Sequence, residues 1–232
     1  MNKTLCLLAA FFALSAAGSP AATVTHITVT GSGTAAVTPD EALIRASIVT
    51  DAQSAQAAVS QNNVLYAKVV NAVAASGVAR NDITLAYYNV NYNPRPSPQP
   101  AGPILEGRFG YIVTRAFDVK VRAIDRTGAV VDALTGAGTT NVENVNFQAS
   151  NTAHARSEAI AAAFADAHAK AENAAQAAGL HLTGISRMSF GGVQTVAPMA
   201  RVMTAMAPAP TAFDQGSVNV TVELTVIFLA AP

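Results

Sequence analysis

The chain has 232 residues, of which 51% are hydrophobic and only 12% charged, and its 14 Lys and Arg balance its 14 Asp and Glu. A protein that binds nucleic acid or an anionic surface through charge needs an excess of basic residues, so this balance excludes a nucleic-acid partner. So little charge on a folded domain suggests that copies of the chain cover part of one another's surface; abundant alanine is the other explanation.

Residues 1–22 have the pattern of a secretory signal peptide. Lys3 supplies an early positive charge, residues 5–17 are apolar, and small residues suited to cleavage follow. The apolar run is shorter than the roughly 20 residues that span a bilayer, so no transmembrane helix is expected. The only cysteine, Cys6, lies in this run, so the exported chain should have no disulfide. We therefore expect a periplasmic protein.

Hydrophobic periodicity then predicts strands and helices in a repeating order. Alternation with a period of two predicts strands at 24–29, 43–49, 83–92, 109–122, 142–149, 185–191 and 218–229. Spacings of three and four predict helices at 50–77, 125–137 and 152–178. Gly31-Ser32-Gly33 predicts a bend or bulge after the first strand, Thr50-x-x-Gln53 resembles a helix capping box, and residues 93–103, with five prolines, predict an irregular loop.

The order of these elements indicates an internal duplication. Shifting residues 67–77 by 102 positions matches Ala, Lys, Asn and Gly with those of 169–179. The sequence therefore predicts an α+β fold in which two strand-helix-strand-strand units, about 23–124 and 142–230, share one core and are joined by a short helix. Together they form one domain over residues 23–232.

The candidate chemical groups do not form a recognisable reaction site. His154 with Glu158, and His168 with Glu172, are each four apart on one helix, but the two histidines lie about 21 Å apart and cannot share an ion. Asp166 and Lys170 have the spacing of a surface ion pair. With no Gly-x-Ser-x-Gly elbow either, we predict no catalytic residues, no metal site and no cofactor.

The stretch 197–210 is the candidate contact surface. A short helical turn there would gather Met199, Met203 and Met206 on one side. That side either packs on the chain's own sheet, lies at the membrane boundary or contacts a second subunit, and we favour the subunit. The candidate self-association residues are Met199, Arg201, Val202, Met203 and Met206.

Three segments together resemble the SIMPL family of secreted bacterial proteins of unknown function. They are Ile27-x-Val29-x-Gly31-x-Gly33-x-x-x-Val37-x-Pro39-Asp40, the central run from Gly110-Tyr111 through Asp125 to Gly138, and the end from Pro198-Met199-x-Arg201 through Gly216 to Phe228. The resemblance implies a periplasmic or outer-membrane-associated α+β protein that forms large homo-oligomers, in a family linked to oxidative-stress defence and antigenicity. It supplies no catalytic residues. The five-proline loop departs from the family pattern.

Residues and resemblance lead to one hypothesis and one alternative. The hypothesis is a non-enzymatic envelope protein that assembles with itself through the Met-bearing stretch and an exposed strand edge. Peripheral outer-membrane contact and an indirect role in envelope or oxidative-stress defence are part of the same hypothesis. The alternative is a periplasmic module that binds a small molecule or peptide in a groove between helices and sheet.

Overall fold

The computed structural model describes residues 24–94, 107–196 and 211–232, together with the backbone of 201–203. Within these residues the helices are α1 (Ala55–Ala75), α2 (Thr127–Gly136) and α3 (Ala153–Ala177). The strands are β1 (Thr25–Val37), β2 (Glu41–Ala52), β3 (Ile83–Asn93), β4 (Gly110–Val121), β5 (Asn141–Gln148), β6 (His181–Val196), β7 (Arg201–Met203), β8 (Ala212–Asp214) and β9 (Val218–Ala231). The predicted α+β class is confirmed.

The strands form two antiparallel sheets and a small ribbon. One sheet has the order β3-β4-β2-β5, the other has the order β1-β9-β6, and β7 pairs with β8. The first strand of each half therefore lies in the sheet of the other half, because β1 joins the sheet of β6 and β9 and β5 joins that of β2 to β4. The proposed duplication stays a prediction, and the five-proline loop falls largely outside the described residues.

The buried hydrophobic residues form two clusters, whereas we expected one shared core. The first lies between the four-stranded sheet and helices α1 and α2, and its largest members are Phe117 and Phe147. The second lies between the three-stranded sheet and α3, with Leu224 and Phe228 under the helix. Two cores form because each sheet is covered on one face by its own helices.

Helix α3 approaches its sheet unusually closely because the residues that face each other are small. Its buried residues are alanines four positions apart, from Ala155 to Ala175. Opposite them, a Cβ on Gly31 would overlap the carbonyl oxygen of Ala163 and lie 2.7 Å from the Ala167 Cβ. A Cβ on Gly33 would overlap the backbone of the same helix.

The predicted bend or bulge at Gly31-Ser32-Gly33 is therefore wrong. Strand β1 runs through these residues and pairs with β9 without a register shift. The glycines are needed for close approach of the helix, not for a turn.

The start of α1 also differs from the prediction. Thr50 lies in β2 and its hydroxyl donates to the carbonyl of Ala58 at 2.9 Å, so it does not cap the helix. The cap is Ser54, whose Oγ accepts from the Ala57 N–H at 3.3 Å. Gly77, with a φ of +91°, follows the C-terminal end of the helix.

Asp40 links the two segments in which the chain passes from one sheet to the other. Its carboxylate accepts from the Ser150 N–H at 2.7 Å and from the Ser150 hydroxyl, while its own N–H donates to the Gln148 carbonyl at 3.0 Å. The β1–β2 connection is thereby fixed to the β5–α3 connection. The hydrogen bonds from the Ser150 side chain and backbone hold the pKa of Asp40 below its usual value.

This contact predicts a pH-dependent contribution to stability. Because the folded pKa of Asp40 is lowered, its contribution is fully present above the unfolded value of 3.8 and is lost as the pH falls through the folded value. The Ser150→Ala variant should therefore be less stable than the parent at pH 6, and the difference should shrink as the pH falls below 3.8. Urea unfolding at several pH values measures it, with Ser60→Ala as the control. A difference that stays constant down to pH 2 would show that Asp40 is not the group concerned.

Candidate functional site: the strand edges

The two main sheets have four edges, and an unpaired edge is where a second chain can add a strand. The edge strands are β3 and β5 in one sheet and β1 and β6 in the other. Two of these four edges are protected, and the other two are covered by none of the residues that the structure describes.

The outer edge of β1 is protected by α3. Asp166 Oδ2 accepts from the Ser32 N–H at 2.9 Å and from Lys170 Nζ at 2.7 Å, and Lys170 Nζ also donates to the Thr30 carbonyl at 3.1 Å. The predicted Asp166–Lys170 pair is thus present, and in addition it occupies backbone groups of the edge strand. The hydrogen bonds from Lys170 and then from Ser32 hold the pKa of Asp166 below its usual value, so the carboxylate remains ionised at neutral pH.

The edge strand β5 is protected by its length and irregularity. It has only eight residues, and its pairing with β2 shifts register between Asn144 and Val142, which leaves Glu143 as the extra residue. A short strand with a bulge and a charge is a poor template for a further strand.

The edge strand β3 is open along its length as far as residues 24–94, 107–196 and 211–232 are concerned. All of residues 84–93 are exposed and none of them is charged. Its large side chains on the helix side pair across the sheet with Tyr111, Val113, Arg115 and Phe117 of β4, and we name them the β3 strip: Leu85, Tyr88, Val90 and Tyr92. Helix α1 packs on β2 and β4 and leaves the β3 strip uncovered, so Tyr92 is 60% exposed.

Arg115 holds part of the β3 strip in place. Its guanidinium lies 4.4 Å from the ring centroid of Tyr66 on α1 and 5.1 Å from that of Tyr88, and it donates to Asn63 Oδ1 at 2.6 Å. A cation between two aromatic rings favours this arrangement by about 0.5–1 kcal/mol per exposed contact. The strip is therefore partly ordered before any partner arrives.

The edge strand β6 has the same design in the other half. All of residues 183–196 are exposed, with Arg187 their only Lys, Arg, Asp or Glu. The β6 strip lies opposite buried residues of β9 and consists of Ile185, Met188, Phe190 and Val193. Helix α3 packs mainly on β1 and β9, so Phe190 is 56% exposed.

Bulges align both strips on one face. The β6 strip has spacings of three, two and three residues, and register shifts near Arg187 and Gly192 bring all four side chains to the helix side. A single shift near Ala86 does the same for Leu85 and Tyr88 of the β3 strip. Without these bulges, residues three apart on a strand would point to opposite faces. The irregularities therefore produce two continuous apolar surfaces.

A cavity of about 290 Å³ lies beside the start of β6. It is lined by His168, Glu172, Gln176 and His181, among other residues. The predicted pairs are present, with 3.6 Å between His154 Nδ1 and Glu158 Oε1 and 3.8 Å between His168 Nδ1 and Glu172 Oε2. In the described part of the chain, no group of three or more His, Cys, Asp or Glu is placed to hold a metal ion.

The self-association residues expected from the sequence are only partly described. Met199 and Met206 lie outside the described residues. Arg201, Val202 and Met203 form β7 and pair by their backbones with β8, so the helical turn expected there is wrong for these three residues. Their role in contacts between copies stays a prediction.

Sequence reasoning missed the β3 and β6 strips. The signal was present in residues 83–93, a strand pattern with three tyrosines and no charge. It was not decisive because an uncharged strand is also what a buried central strand looks like. Only the sheet order shows that these strands are at the edges.

These features define an α+β protein whose described residues close two strand edges and leave two open. The chain belongs to the SIMPL family: the family model, described as "Protein of unknown function (DUF541)", matches residues 27–228. Similar proteins include the "26 kDa periplasmic immunogenic protein" of Brucella melitensis biotype 1 and the protein of the same name from Brucella abortus strain S19. Each is 29% identical over 209 residues, which cover 86% of this chain and 83% of the relative. None of the helices in the described ranges is long and apolar enough to cross a membrane.

Proposed function

We propose that this chain is a non-enzymatic periplasmic protein that assembles with itself through the open edges of β3 and β6. The single observation that carries the proposal is the contrast between the four sheet edges. The edge of β1 is blocked by a charged pair, and the edge of β5 is short and has a bulge. The edges of β3 and β6 are long and exposed, and they carry the apolar strips. Natural edge strands usually block pairing with another chain. A long edge with at most one charge, and with no cover among the described residues, is therefore a candidate contact.

A second copy of this chain is the partner we propose. Both strips occur on every copy, so pairing β3 of one copy with β6 of the next covers both with a single kind of contact. Pairing two copies of β6 with Arg187 near the centre would instead place like charges close together, and β3 has no charge to repel it. Repetition of an unlike contact produces a ring when the rotation closes.

Burial of the two apolar strips does not by itself determine how tightly two copies associate. Completing the burial of one partly exposed large side chain contributes about 1 kcal/mol, so eight contribute roughly 8 kcal/mol. Association costs about 4–15 kcal/mol. Since the two are similar, backbone pairing along the edges and the ordering of the β3 strip by Arg115 decide the affinity.

Cysteine cross-linking tests this pairing. Cys6 is the chain's only cysteine, so once it is replaced the introduced thiols are the only ones present. In a Cys6→Ser background, Asn89→Cys places a thiol on β3 and Ser189→Cys places one on β6. A mixture of the two proteins should form disulfide-linked pairs on mild oxidation, and Gln56→Cys on α1 is the control. If the mixture links no more than the control does, the proposed pairing is wrong.

The predicted residues of the 197–210 stretch belong to the same proposal. Met199, Arg201, Val202, Met203 and Met206 follow directly after the β6 edge, and we propose that they extend its contact. Deleting residues 197–210 should then reduce the size of the particle, measured by light scattering. An unchanged particle would remove this stretch from the interface.

The names of the relatives and the first 22 residues support a periplasmic location. We propose that residues 1–22 are a signal peptide that is removed on export, and N-terminal sequencing of the protein from a periplasmic extract tests this directly. Peripheral outer-membrane contact and an indirect role in stress defence are also proposed, and they rest on the family resemblance. Fractionation of the envelope and survival of a deletion strain in peroxide test these two points.

The cavity beside His168 and His181 favours a second candidate function, the binding of a small polar molecule. Its size is near the lower end of ligand sites, which are about 300–1,000 Å³. A specific ligand from a set of periplasmic metabolites should raise the melting temperature, and His181→Ala should abolish that rise. A set with no such ligand would leave self-assembly as the better-supported function.

A further inference from the structure

Beyond the proposed self-association, the structure carries an inference about the edge that does not take part. We infer that Asp166 and Lys170 of α3 are specificity-determining residues that close the outer edge of β1 against a second chain. The inference deepens the proposed function by explaining which edges assemble, but its geometry and its test do not depend on that function.

The first step is the comparison of the two sheets. In the four-stranded sheet the order β3-β4-β2 is followed by β5, whereas in the three-stranded sheet the corresponding order β6-β9-β1 ends at β1. The place occupied by a fourth strand in one sheet is occupied in the other by the side chains of Asp166 and Lys170. The fold can therefore accept a strand beside β1, and a strand from a second chain would pair there unless something blocked that edge.

The second step is the backbone chemistry of that edge. Within a strand, the N–H and C=O of one residue point to the same side, and residues two apart share that side. The N–H of Ser32 and the carbonyl of Thr30 therefore belong to the row that an incoming strand would use. Asp166 and Lys170 bind these two groups at 2.9 and 3.1 Å. A second chain would have to displace both hydrogen bonds and desolvate both charges.

The third step is how a helix side chain reaches the edge. Gly31 and Gly33 flank Ser32 and lie directly against the backbone of α3, where even a Cβ would overlap the helix. Close contact brings residues 166 and 170 beside the strand. The Gly-x-Gly pair and the ion pair thus form one arrangement, with the glycines setting the distance and the charges closing the edge.

The test uses a background in which the open edges are already blocked. Val90→Lys and Phe190→Lys place one charge on each strip, and Asp166→Ala with Lys170→Ala is then added. The opened variant should gain association at least tenfold over a matched control, measured by sedimentation across a range of concentrations. The matched control is His154→Ala with Glu158→Ala, which removes another i,i+4 pair of α3.

Hydrogen exchange supplies the second readout. At protein concentrations too low for association, the Ser32 amide should exchange faster in the opened variant than in the control, because it has lost its acceptor. If the opened variant is folded by circular dichroism and associates no more than the control, the inference is overturned. Where the alanine variant does not fold, Asp166→Leu with Lys170→Met roughly retains side-chain volume, removes both hydrogen-bonding groups and is judged by the same two readouts.

The outcomes separate this inference from the proposed function. A parent protein that is monomeric would contradict the proposed function, yet the opened variant would still be expected to gain association. A parent that assembles, together with an opened variant that matches the control, would contradict only the closure of β1.

Discussion

Replacing Gly31 or Gly33 with alanine is expected to destabilise the protein by about 3 kcal/mol or more, the upper end of the usual cost of overpacking. The added Cβ would meet the backbone of α3, which has no rotamer to change. The helix would have to move away from β1, and the alanine stripe under it would lose its contacts with the sheet. Urea unfolding followed by circular dichroism measures the loss.

Gly184→Ala is the matched control for this prediction. Gly184 also lies in a strand of the same sheet, but a Cβ there would have only the Leu229 Cδ1 within reach, at 4.0 Å. Its stability should change by less than about 0.5 kcal/mol. If Gly31→Ala were as stable as Gly184→Ala, close packing of α3 on β1 would not be the reason for the glycines.

Placing a charge on either open edge is expected to break the proposed assembly. Val90→Lys on β3 or Phe190→Lys on β6 would put an ammonium group into a contact that buries apolar side chains. We expect at least a hundredfold weaker association, equivalent to about 2.7 kcal/mol. Sedimentation velocity over a concentration series measures the change.

The control for the edge variants is Gln56→Lys, an exposed position on α1 away from both strips. It adds the same charge, so a general effect of net charge on association would appear in it too. All three variants should keep the circular-dichroism spectrum of the folded parent, because the substituted side chains are exposed in the single chain. The two edge variants should lose only the part of the melting temperature that assembly contributes. Equal association of the edge variants and the control would contradict the assignment of β3 and β6 as contacts.

Many of the helices and strands could be predicted because the repeat of hydrophobic residues that identifies each one lies within its own segment. The helix predicted at 152–178 is present as α3, and the strand predicted at 218–229 as β9, since an alanine-rich run and strict alternation are each unambiguous over many residues. The predicted bend at Gly31 was wrong because the reason for the glycines lies about 130 residues away, in the backbone of α3. No local pattern can reveal such a contact.

The candidate site could be predicted only in part. Low charge, in the sequence, suggested contacts between copies at residues 197–210 and at an exposed strand edge, but the sequence did not specify which strands lie at the edges. Whether a strand such as Ile83–Asn93 is central or at an edge depends on the order of strands in the sheet, which its own residues do not specify. The Asp166–Lys170 pair was predicted as a surface pair, and its contacts with Thr30 and Ser32 required the fold.

The mass of the purified full chain in solution is the most direct test of the central claim. Sedimentation equilibrium or native mass spectrometry should give a discrete multiple of the chain mass of 23.7 kDa, less any cleaved signal segment, and this multiple should collapse to one chain when Val90 and Phe190 are both replaced with lysine. A parent protein that remains a single chain at high concentration, with both strips exposed, would contradict the account.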